Sequence, residues 1–410
     1  MSTRTFSEAS INIITHLDGV TDGQNGYRQV SLATLSSSSS GEGSDILIAM
    51  PEDLHSVHAL TFIGFSTKAA NDILGRWTSY EKDTDALPDD FQQYFISHIE
   101  SANTDAWLPR HDWEGVLKNL GMRKDCRAAI LDPEYKAIRL TATAKYWAID
   151  TVSTNWLHLT CADQAIQRNY AAISRTTTPT GPATPAIHPL SRKGKGHALS
   201  TSQSTLSIAT TSKPLVVPPA HTTLFKSGAK IRIEQALIDE NFNPLKILST
   251  GPTDFSSSVG LYFAEDRETA ELYSKWAARR ERYHERREKV ILTILVPDAL
   301  LAGARTVDGW QWDHLVWASR RQQLVSKELR KEGLEKEAIL RGEICVCATP
   351  EVLHMKFMEQ LRKVRRPGTS TFSVQVVFTN STSWGNLQTA CQGKVYLENL
   401  GMCTQQKSYS

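Results

Sequence analysis

The sequence predicts a two-domain fold, in which an all-α N-terminal module is joined by a disordered linker to an α+β C-terminal domain. Three observations support this fold class. Apolar and aromatic residues recur at helical spacing through residues 45–173, a segment rich in Ser, Thr, Pro and Gly follows at 174–220, and short β-branched runs separated by helical patterns fill 221–402. Residues 1–44 end in a run of serines and glycines and are expected to be a flexible N-terminus. A chain of 410 residues is long enough for two buried cores.

The helical domain, residues 45–173, is predicted from helices with recognisable ends. Pro88 stands at the start of one helix, where proline is favoured because its missing N–H would have no helical partner. A second helix runs from the N-cap residue Asp112 to Gly121, and a third begins at Asp132. The apolar positions of the third helix are Ile138, Ala142, Tyr146 and Ile149.

The linker, residues 174–220, is predicted from what its composition lacks. It contains no Phe, Tyr or Trp, so it cannot bury enough surface to offset the entropy of ordering it. We therefore predict that this stretch is disordered and that the two flanking domains fold independently.

The composition of the chain bears on its cellular compartment and on whether it binds nucleic acid or a membrane. The chain has 46 basic and 44 acidic residues, so no overall field attracts it to nucleic acid. No apolar run approaches the roughly 18–20 residues of a spanning helix, and the first residues have no apolar leader. We expect an intracellular protein, cytoplasmic or nuclear, with no membrane partner. Cys345 and Cys347 are expected in a core strand, since a zinc site would need a second close pair.

Seven short runs in the C-terminal domain are predicted to be strands. They are residues 222–226, 245–249, 259–264, 290–296, 343–348, 372–378 and 394–400. Helices are predicted at 267–288, 313–324 and 350–363. The sequence has no G-x-G-x-x-G or Walker motif, so a dinucleotide would not bind here in the Rossmann manner.

Three elements of this domain occur in a distinctive order. A strand with a basic residue, Thr223-Leu-Phe-Lys-Ser-Gly228, is followed by the strand Gly260-Leu-Tyr-Phe-Ala264, which runs into a helix, and later by a glutamate in Arg341-Gly-Glu-Ile-Cys-Val346. This order resembles that of the ADP-ribosyltransferase family, which transfers ADP-ribose from NAD or hydrolyses NAD. The resemblance covers residues 221–402. It implies a cleft between two small sheets, NAD as the substrate, and in the transferases a protein that accepts ADP-ribose.

The first strand of the family ends in a His or Arg that holds the ribose or phosphate on the adenosine side of NAD. The resemblance places Lys226 at that position, with Ser227 and Gly228 beside it. Lysine can meet a pyrophosphate as a point charge, but it cannot reproduce the bidentate fork of Arg or the neutral donor and acceptor of His. This departure from the family pattern bears on activity rather than on the fold.

The second strand of the family carries a tyrosine that stacks on nicotinamide in the poly(ADP-ribose) polymerase branch. The resemblance assigns this role to Tyr262, and it places Ser249 and Thr250 on the S-T strand that flanks the pocket. Alternation along a strand puts Leu261 and Phe263 on one face and Tyr262 on the other. The alternative reading of Tyr262 is an aromatic residue on a half-buried strand without a ligand.

The third element carries Glu343, which the resemblance makes the catalytic residue. Departure of nicotinamide leaves an oxocarbenium-like ribose, and a carboxylate that holds the ribose hydroxyls would orient the sugar and stabilise the positive charge. The alternative reading is a solvated charge at the edge of a strand.

Two functions follow and stay open at the level of sequence. In the first, the C-terminal domain is an NAD-consuming ADP-ribosyltransferase or NAD glycohydrolase. In the second, it is a catalytically inactive transferase-like module that binds a nucleotide or a protein, and the helical domain serves as an interaction module. Lys226 favours the second function, whereas Tyr262 and Glu343 favour the first.

Overall fold

The computed structural model describes residues 3–18, 25–35, 47–83, 90–102, 112–176, 216–237, 242–250, 253–257, 259–282 and 288–402. Most of the predicted linker, residues 177–215, lies outside these ranges. Within them, no helix is both long enough and apolar enough to cross a membrane.

Helices dominate the N-terminal half. They are α1 (Glu8–Asp18), α2 (Leu32–Leu35), α3 (Val57–Ile63), α4 (Thr67–Asp83), α5 (Phe91–Ser101), α6 (Trp113–Asn119), α7 (Lys124–Leu131), α8 (Lys136–Arg139), α9 (Ala144–Thr160) and α10 (Ala162–Thr176). Two strands, β1 (Tyr27–Ser31) and β2 (Leu47–Pro51), pair antiparallel, with Tyr27 opposite Pro51. The all-α prediction for 45–173 therefore misses β2, and the flexible prediction for 1–44 misses α1, β1 and α2. Short strands of this kind depend on a partner distant in sequence, which a local pattern does not contain.

The C-terminal half mixes strands with helices. The helices are α11 (Lys230–Gln235), α12 (Arg267–Arg280), α13 (Asp298–Leu301), α14 (Gly309–Arg320), α15 (Lys327–Lys331), α16 (Thr349–His354) and α17 (Ser381–Ala390). The strands are β3 (His221–Gly228), β4 (Ser249–Thr250), β5 (Val259–Ala264), β6 (Glu288–Pro297), β7 (Arg305–Val307), β8 (Ile339–Glu343), β9 (Val374–Phe378) and β10 (Val395–Met402).

The strands form one mixed sheet in the order β10-β6-β3-β5-β9-β8-β7, with β4 paired to β5 outside this path. Pairing is antiparallel except between β7 and β8, which are parallel. Strands β3 and β5, both fully described, are joined by one residue pair, Phe225 with Ala264. By contrast, β3 and β6 pair along their length, from His221 opposite Pro297 to Gly228 opposite Val290. The sheet therefore consists of two parts that are weakly joined between β3 and β5.

Side chains on the two faces of the sheet belong to different core clusters. Leu261 and Phe263 of β5 pack in one cluster with Phe378, whereas Tyr262 packs against a second cluster that contains Val377 and Trp312. The predicted alternation along β5 is confirmed. Cys345 and Cys347 are fully buried in the second cluster, as expected for core residues.

The chain divides into two compact units, each built from two stretches of sequence. One unit is Met1–Leu54 with Thr160–Ser207, and the other is His55–Leu159 with Ile208–Ser410. In the second unit, helices of the N-terminal half belong to the same compact body as the mixed sheet. The bounds of these units differ from the predicted domain ranges 45–173 and 221–402. The units are defined by contacts between residues distant in sequence, which composition and local patterns do not show.

Helix α12 provides part of the contact between the helices of residues 55–159 and the sheet within the second unit. Trp276 of α12 is fully buried, its ring centroid is 4.4 Å from that of Trp147, and its Nε1 donates to the carbonyl of Ala129 at 3.3 Å. Arg280 at the end of α12 lies above Trp147 and donates from Nη1 to Asp150 Oδ2 at 2.6 Å. Helix α12 thus contacts α7 and α9 as well as strands β3 and β6 of the sheet.

The predicted strands agree with the structure except at two places. Residues 245–249 were predicted as one strand, but a 3-10 helix occupies Pro244–Ile247, where Asn243 accepts a hydrogen bond from the N–H of Leu245. The strand predicted at 343–348 instead lies at Ile339–Glu343, because its apolar residues Ile339 and Leu340 pair with β9. Glu343 therefore ends a strand that it was predicted to begin.

The predicted helices in the C-terminal half end too late in each case. Helix α12 stops at Arg280 because the buried side chain of Glu281 pairs with His158 Nε2 at 2.6 Å. Helix α16 stops at His354, where the Arg321 guanidinium donates to the carbonyls of Val352, Leu353 and Met355. A basic side chain that satisfies the last carbonyls of a helix is a common way to end it.

Candidate functional site

A cavity of about 670 Å³ lies within the second unit, where the two parts of the sheet meet helices α9, α11 and α12. This volume is in the range of pockets that bind small molecules. Of the predicted site residues, five line the cavity: Lys226, Ser227, Gly228, Ser249 and Tyr262. Thr250 ends β4, and its side chain is not among those described. The described lining residues do not include Glu343.

Lys226 enters the cavity from β3 and has an environment that disfavours its charge. Its Nζ donates to the carbonyl of Tyr262 at 3.1 Å and lies 5.9 Å from the ring centroid of Phe263. Lys226 is half-buried and lines the cavity. Burial lowers the pKa of Lys226 to about 8. Among the described residues, the hydrogen bond given to this ammonium goes to a neutral carbonyl.

Tyr262 lines the cavity from β5, and its hydroxyl is fixed by the loop before that strand. The hydroxyl is hydrogen-bonded to Thr253 Oγ1 and accepts from the N–H of Phe255 at 3.3 Å. Burial raises the pKa of Tyr262, so the phenol stays protonated at neutral pH. Gly260 makes room for the ring, because a Cβ there would lie 2.5 Å from Tyr262 Cε2. The G-x-Y spacing of the sequence thus has a steric cause.

A buried ion pair that the sequence reading missed lies in the wall beside Tyr262. Arg320 donates to Asp254 Oδ1 from Nε at 3.1 Å and from Nη2 at 2.6 Å. Asp254 Oδ2 accepts from the N–H of Cys345 at 2.8 Å and from Gln375 Nε2 at 2.7 Å. Burial disfavours the charge of Arg320, but the Asp254 carboxylate outweighs burial and holds the pKa of Arg320 above its usual range. The pair fixes the loop, the end of α14 and β9 around the cavity.

A second group of charges comes from the helical side of the cavity. Arg280 donates to Asp150 Oδ2, and Arg232 Nη1 lies 3.3 Å from Asp150 Oδ1. Burial works against the charge of Asp150, but the two arginines outweigh it and keep the pKa of Asp150 below its usual range. Asp150 is therefore a carboxylate at neutral pH, held between two guanidinium groups.

The lining as a whole is cationic and aromatic. Five basic side chains face two carboxylates, Asp150 and Asp254. The basic residues are Lys226, Arg232, Lys246, Arg280 and Arg320. The aromatic residues are Tyr146, Trp147, Phe225, Tyr262, Phe263 and Tyr273. Such a lining suits an anionic ligand that also carries a flat ring.

Glu343 does not lie where it was predicted, in the cavity with Tyr262 and Lys226. Its carboxylate forms an ion pair with Lys363, whose Nζ is 4.7 Å from the ring centroid of Trp312. The backbone carbonyl of Glu343 accepts from Trp312 Nε1 at 2.7 Å. Because β8 ends at Glu343 and the chain turns there, the next residue, Ile344, reaches the cavity instead.

The sequence gives only a weak indication of the ion pair between Arg320 and Asp254. Arg320 is the last residue of α14, a helix whose buried residues include the apolar Leu315 and Val316. A charge beside such a run requires a partner, but its identity as Asp254, distant in the chain, is not contained in the spacing.

Comparisons of this chain with models of protein families, with curated proteins and with solved structures find no match. The resemblance to ADP-ribosyltransferases therefore stays a prediction based on the residues quoted for it.

Proposed function

We propose that this chain is a transferase-like nucleotide-binding protein, whose cavity holds NAD or a related nucleotide with a pyrophosphate group. The observation that carries this proposal is the lining of the cavity, in which five basic side chains and six aromatic rings surround about 670 Å³. Cationic groups supply attraction for phosphates, and aromatic rings supply stacking surfaces for a base or a nicotinamide.

Individual residues would divide the work of holding such a ligand. Lys226 offers an ammonium whose described hydrogen bond goes to a neutral carbonyl, so its charge is available to a phosphate. Ser227 offers a hydroxyl beside it, and Tyr262 offers a ring that the loop hydrogen bonds hold in place. Lys246 is exposed and lines the same cavity, where it would add to the attraction for the ligand.

Binding is favoured over catalysis because the described residues that line the cavity include no carboxylate placed as Glu343 was expected to be. Among the described lining residues, the carboxylates are Asp150 and Asp254, and both are held in ion pairs with arginines. A carboxylate that must hold ribose hydroxyls needs lone pairs directed at the sugar. Asp254 already accepts from Arg320, Cys345 and Gln375.

Binding is tested by calorimetry of the full chain with NAD, ADP-ribose and ADP. Replacing Lys226 by methionine removes a charge-assisted contact with the phosphates, for which we expect affinity to fall by about 10- to 150-fold. The matched control is Lys336→Met, because Lys336 is an exposed lysine outside the cavity. Absence of heat with all three nucleotides, or equal affinities of the Lys226 and Lys336 variants, would contradict the proposal.

A second candidate is an NAD-consuming transferase or glycohydrolase, with a protein as acceptor in the transferase case. The observation that favours it is the hydrogen bond between Lys226 and the carbonyl of Tyr262, which brings together two residues of the family motifs. Release of nicotinamide from NAD by the full chain separates the two candidates. Release that is lost in Tyr262→Ala supports the enzyme, and binding without release supports the module.

A further inference from the structure

The amine of Lys226 differs from the three arginines of the cavity in its partner. Arg232 and Arg280 are paired with Asp150, and Arg320 is paired with Asp254. The hydrogen bond that the structure gives to Lys226 goes instead to the carbonyl of Tyr262. Its neighbourhood among the described residues thus supports a neutral amine as readily as an ammonium, since a neutral amine can still donate one N–H to that carbonyl.

The cavity around this amine is shaped for a ligand with an anionic part and a flat part. Such a ligand would place its sugar between the phosphates and the ring. When that sugar is a reducing ribose, its open form carries an aldehyde at C1. Desolvated lysines beside a bound carbonyl compound are the groups that proteins use to form imines.

We propose that Lys226 forms an imine with the C1 aldehyde of a reducing sugar nucleotide of the ADP-ribose class bound in this cavity. This inference rests on the proposed nucleotide-binding function and names the ligand class for it. The ligand differs from NAD at the reacting carbon, because C1 of the nicotinamide ribose in NAD is not an aldehyde.

The reaction balances without an oxidant or a reductant. The lone pair of the neutral ε-amine adds to C1, a C–N bond forms, and the carbonyl electron pair moves to oxygen, which takes a proton. The nitrogen releases one proton, which gives a neutral carbinolamine. A second proton adds to the hydroxyl, which leaves as water while the nitrogen lone pair forms the C=N bond, and the nitrogen then releases its remaining proton. The products are one imine and one water molecule.

The charge state of Lys226 supports this chemistry. Burial lowers the pKa of Lys226 to about 8, so a substantial fraction is neutral near physiological pH. The phenol of Tyr273 lines the same cavity, and burial raises the pKa of Tyr273 to about 12, so it stays protonated as a donor. The other charged and titratable groups that line the cavity are Tyr146, Asp150, Arg232, Lys246, Asp254, Tyr262, Tyr273, Arg280, Arg320 and His354.

Reductive trapping tests the proposal. The full chain is incubated with ADP-ribose and cyanoborohydride at about pH 7.5, digested, and mapped by mass spectrometry. At that pH a lysine with a pKa near 8 has on the order of 100 times more neutral amine than one with an ordinary pKa. We expect labelling of Lys226 to exceed labelling of Lys246, the exposed lysine of the same cavity, by at least about tenfold, and to be blocked by ADP.

One variant and a pH series complete the test. Lys226→Arg keeps the positive charge but has no primary amine, so we expect trapping with ADP-ribose at this position to be lost. Trapping at Lys226 should rise up to about pH 8 and then level off, whereas ordinary surface lysines continue to gain reactivity toward about pH 10.

The outcomes separate this inference from the function on which it rests. If ADP binds but Lys226 is labelled no more than Lys246, the imine is refuted and the nucleotide site stands. If NAD, ADP and ADP-ribose all fail to bind, the nucleotide site itself is refuted. Labelling of Lys226 that ADP does not block would show general glycation and would also overturn the proposal.

Discussion

The ion pair between Arg320 and Asp254 offers the sharpest test of how the cavity is built. Both side chains are buried, and Asp254 accepts from Arg320, from the N–H of Cys345 and from Gln375. Arg320→Met keeps much of the apolar stem but leaves the carboxylate buried with both donors to Oδ1 removed. Breaking one side of a buried ion pair costs about 3–5 kcal/mol, because the remaining charge is left uncompensated. In a unit of this size, that loss lowers Tm by about 5–10 °C.

An exposed pair of similar geometry supplies the matched control. Arg341 Nη2 lies 2.6 Å from Glu265 Oε2, but the Arg341 side chain is 44% exposed. Arg341→Met is therefore expected to cost only about 0–1 kcal/mol. Urea unfolding followed by tryptophan fluorescence measures both variants. The double variant Arg320→Met/Asp254→Asn should regain part of the loss, because it removes the buried unpaired charge. If Arg320→Met and Arg341→Met unfold within about 1 kcal/mol of each other, the reasoning about burial is refuted.

Three further predictions follow from the site. Tyr262→Ala should weaken NAD binding by about 0.5–1.5 kcal/mol in calorimetry. Tyr262→Phe should keep the affinity but lower the free energy of unfolding by about 0.5–1.5 kcal/mol, because it removes the hydrogen bonds of the hydroxyl. Equal unfolding by both variants would assign the ring to the core alone. Burial works against the charge of Asp150, but Arg232 and Arg280 outweigh it and hold the pKa of Asp150 down, so the stabilisation from this carboxylate is present above about pH 4 and is lost as pH falls through the lowered folded-state pKa. Urea unfolding across that pH range should show a smaller loss of stability in acid for Asp150→Asn than for the unchanged protein. Identical losses would count against the pairing. Glu343→Gln should leave NAD affinity and any nicotinamide release unchanged, because the Glu343 carboxylate pairs with Lys363 and is not among the described residues that line the cavity. A fall in turnover by about 10²- to 10³-fold would instead identify Glu343 as the catalytic residue.

Strand β5 shows what the sequence can predict about the fold. Its predicted bounds, 259–264, are those of the structure, because a short run of mainly apolar and aromatic residues is bounded there by turn residues. The run at 245–249 has similar composition, yet Pro244 and the cap of Asn243 start a 3-10 helix before it. The strand was predicted from apolar composition, whereas the 3-10 helix forms because of the turn-forming residues Asn243 and Pro244.

The site was predictable to the extent that local alternation governs it. Lys226 and Tyr262 line one cavity because each faces the junction of the two sheet parts from its own strand. Glu343 was misplaced because a shift of the strand by a few residues moves a side chain away from the expected position. The pair Arg320–Asp254 depends on two positions brought together only by the packed α14 helix and its neighbouring loop.

The contacts of α12 with the helices of residues 55–159 predict how a fragment would behave. Trp276 is fully buried in the chain and packs against Trp147 and Tyr135. A fragment of residues 216–402 lacks both partners. Exposing a tryptophan of typical buried area, about 150–250 Å², costs about 4–6 kcal/mol, which is comparable to the whole stability of many domains.

We therefore expect the 216–402 fragment to be poorly soluble, to bind a hydrophobic dye and to lack a sharp thermal transition. The full chain, measured by the same circular dichroism melt, should unfold cooperatively. Residues 55–159 supplied in trans should restore part of the transition, because they return Trp147 and the Asp150 carboxylate that pairs with Arg280. A fragment that melts cooperatively at the Tm of the full chain would instead show that the sheet domain is self-sufficient. The helical residues would then add to the cavity wall without holding the fold, and the independent folding predicted from the sequence would be correct.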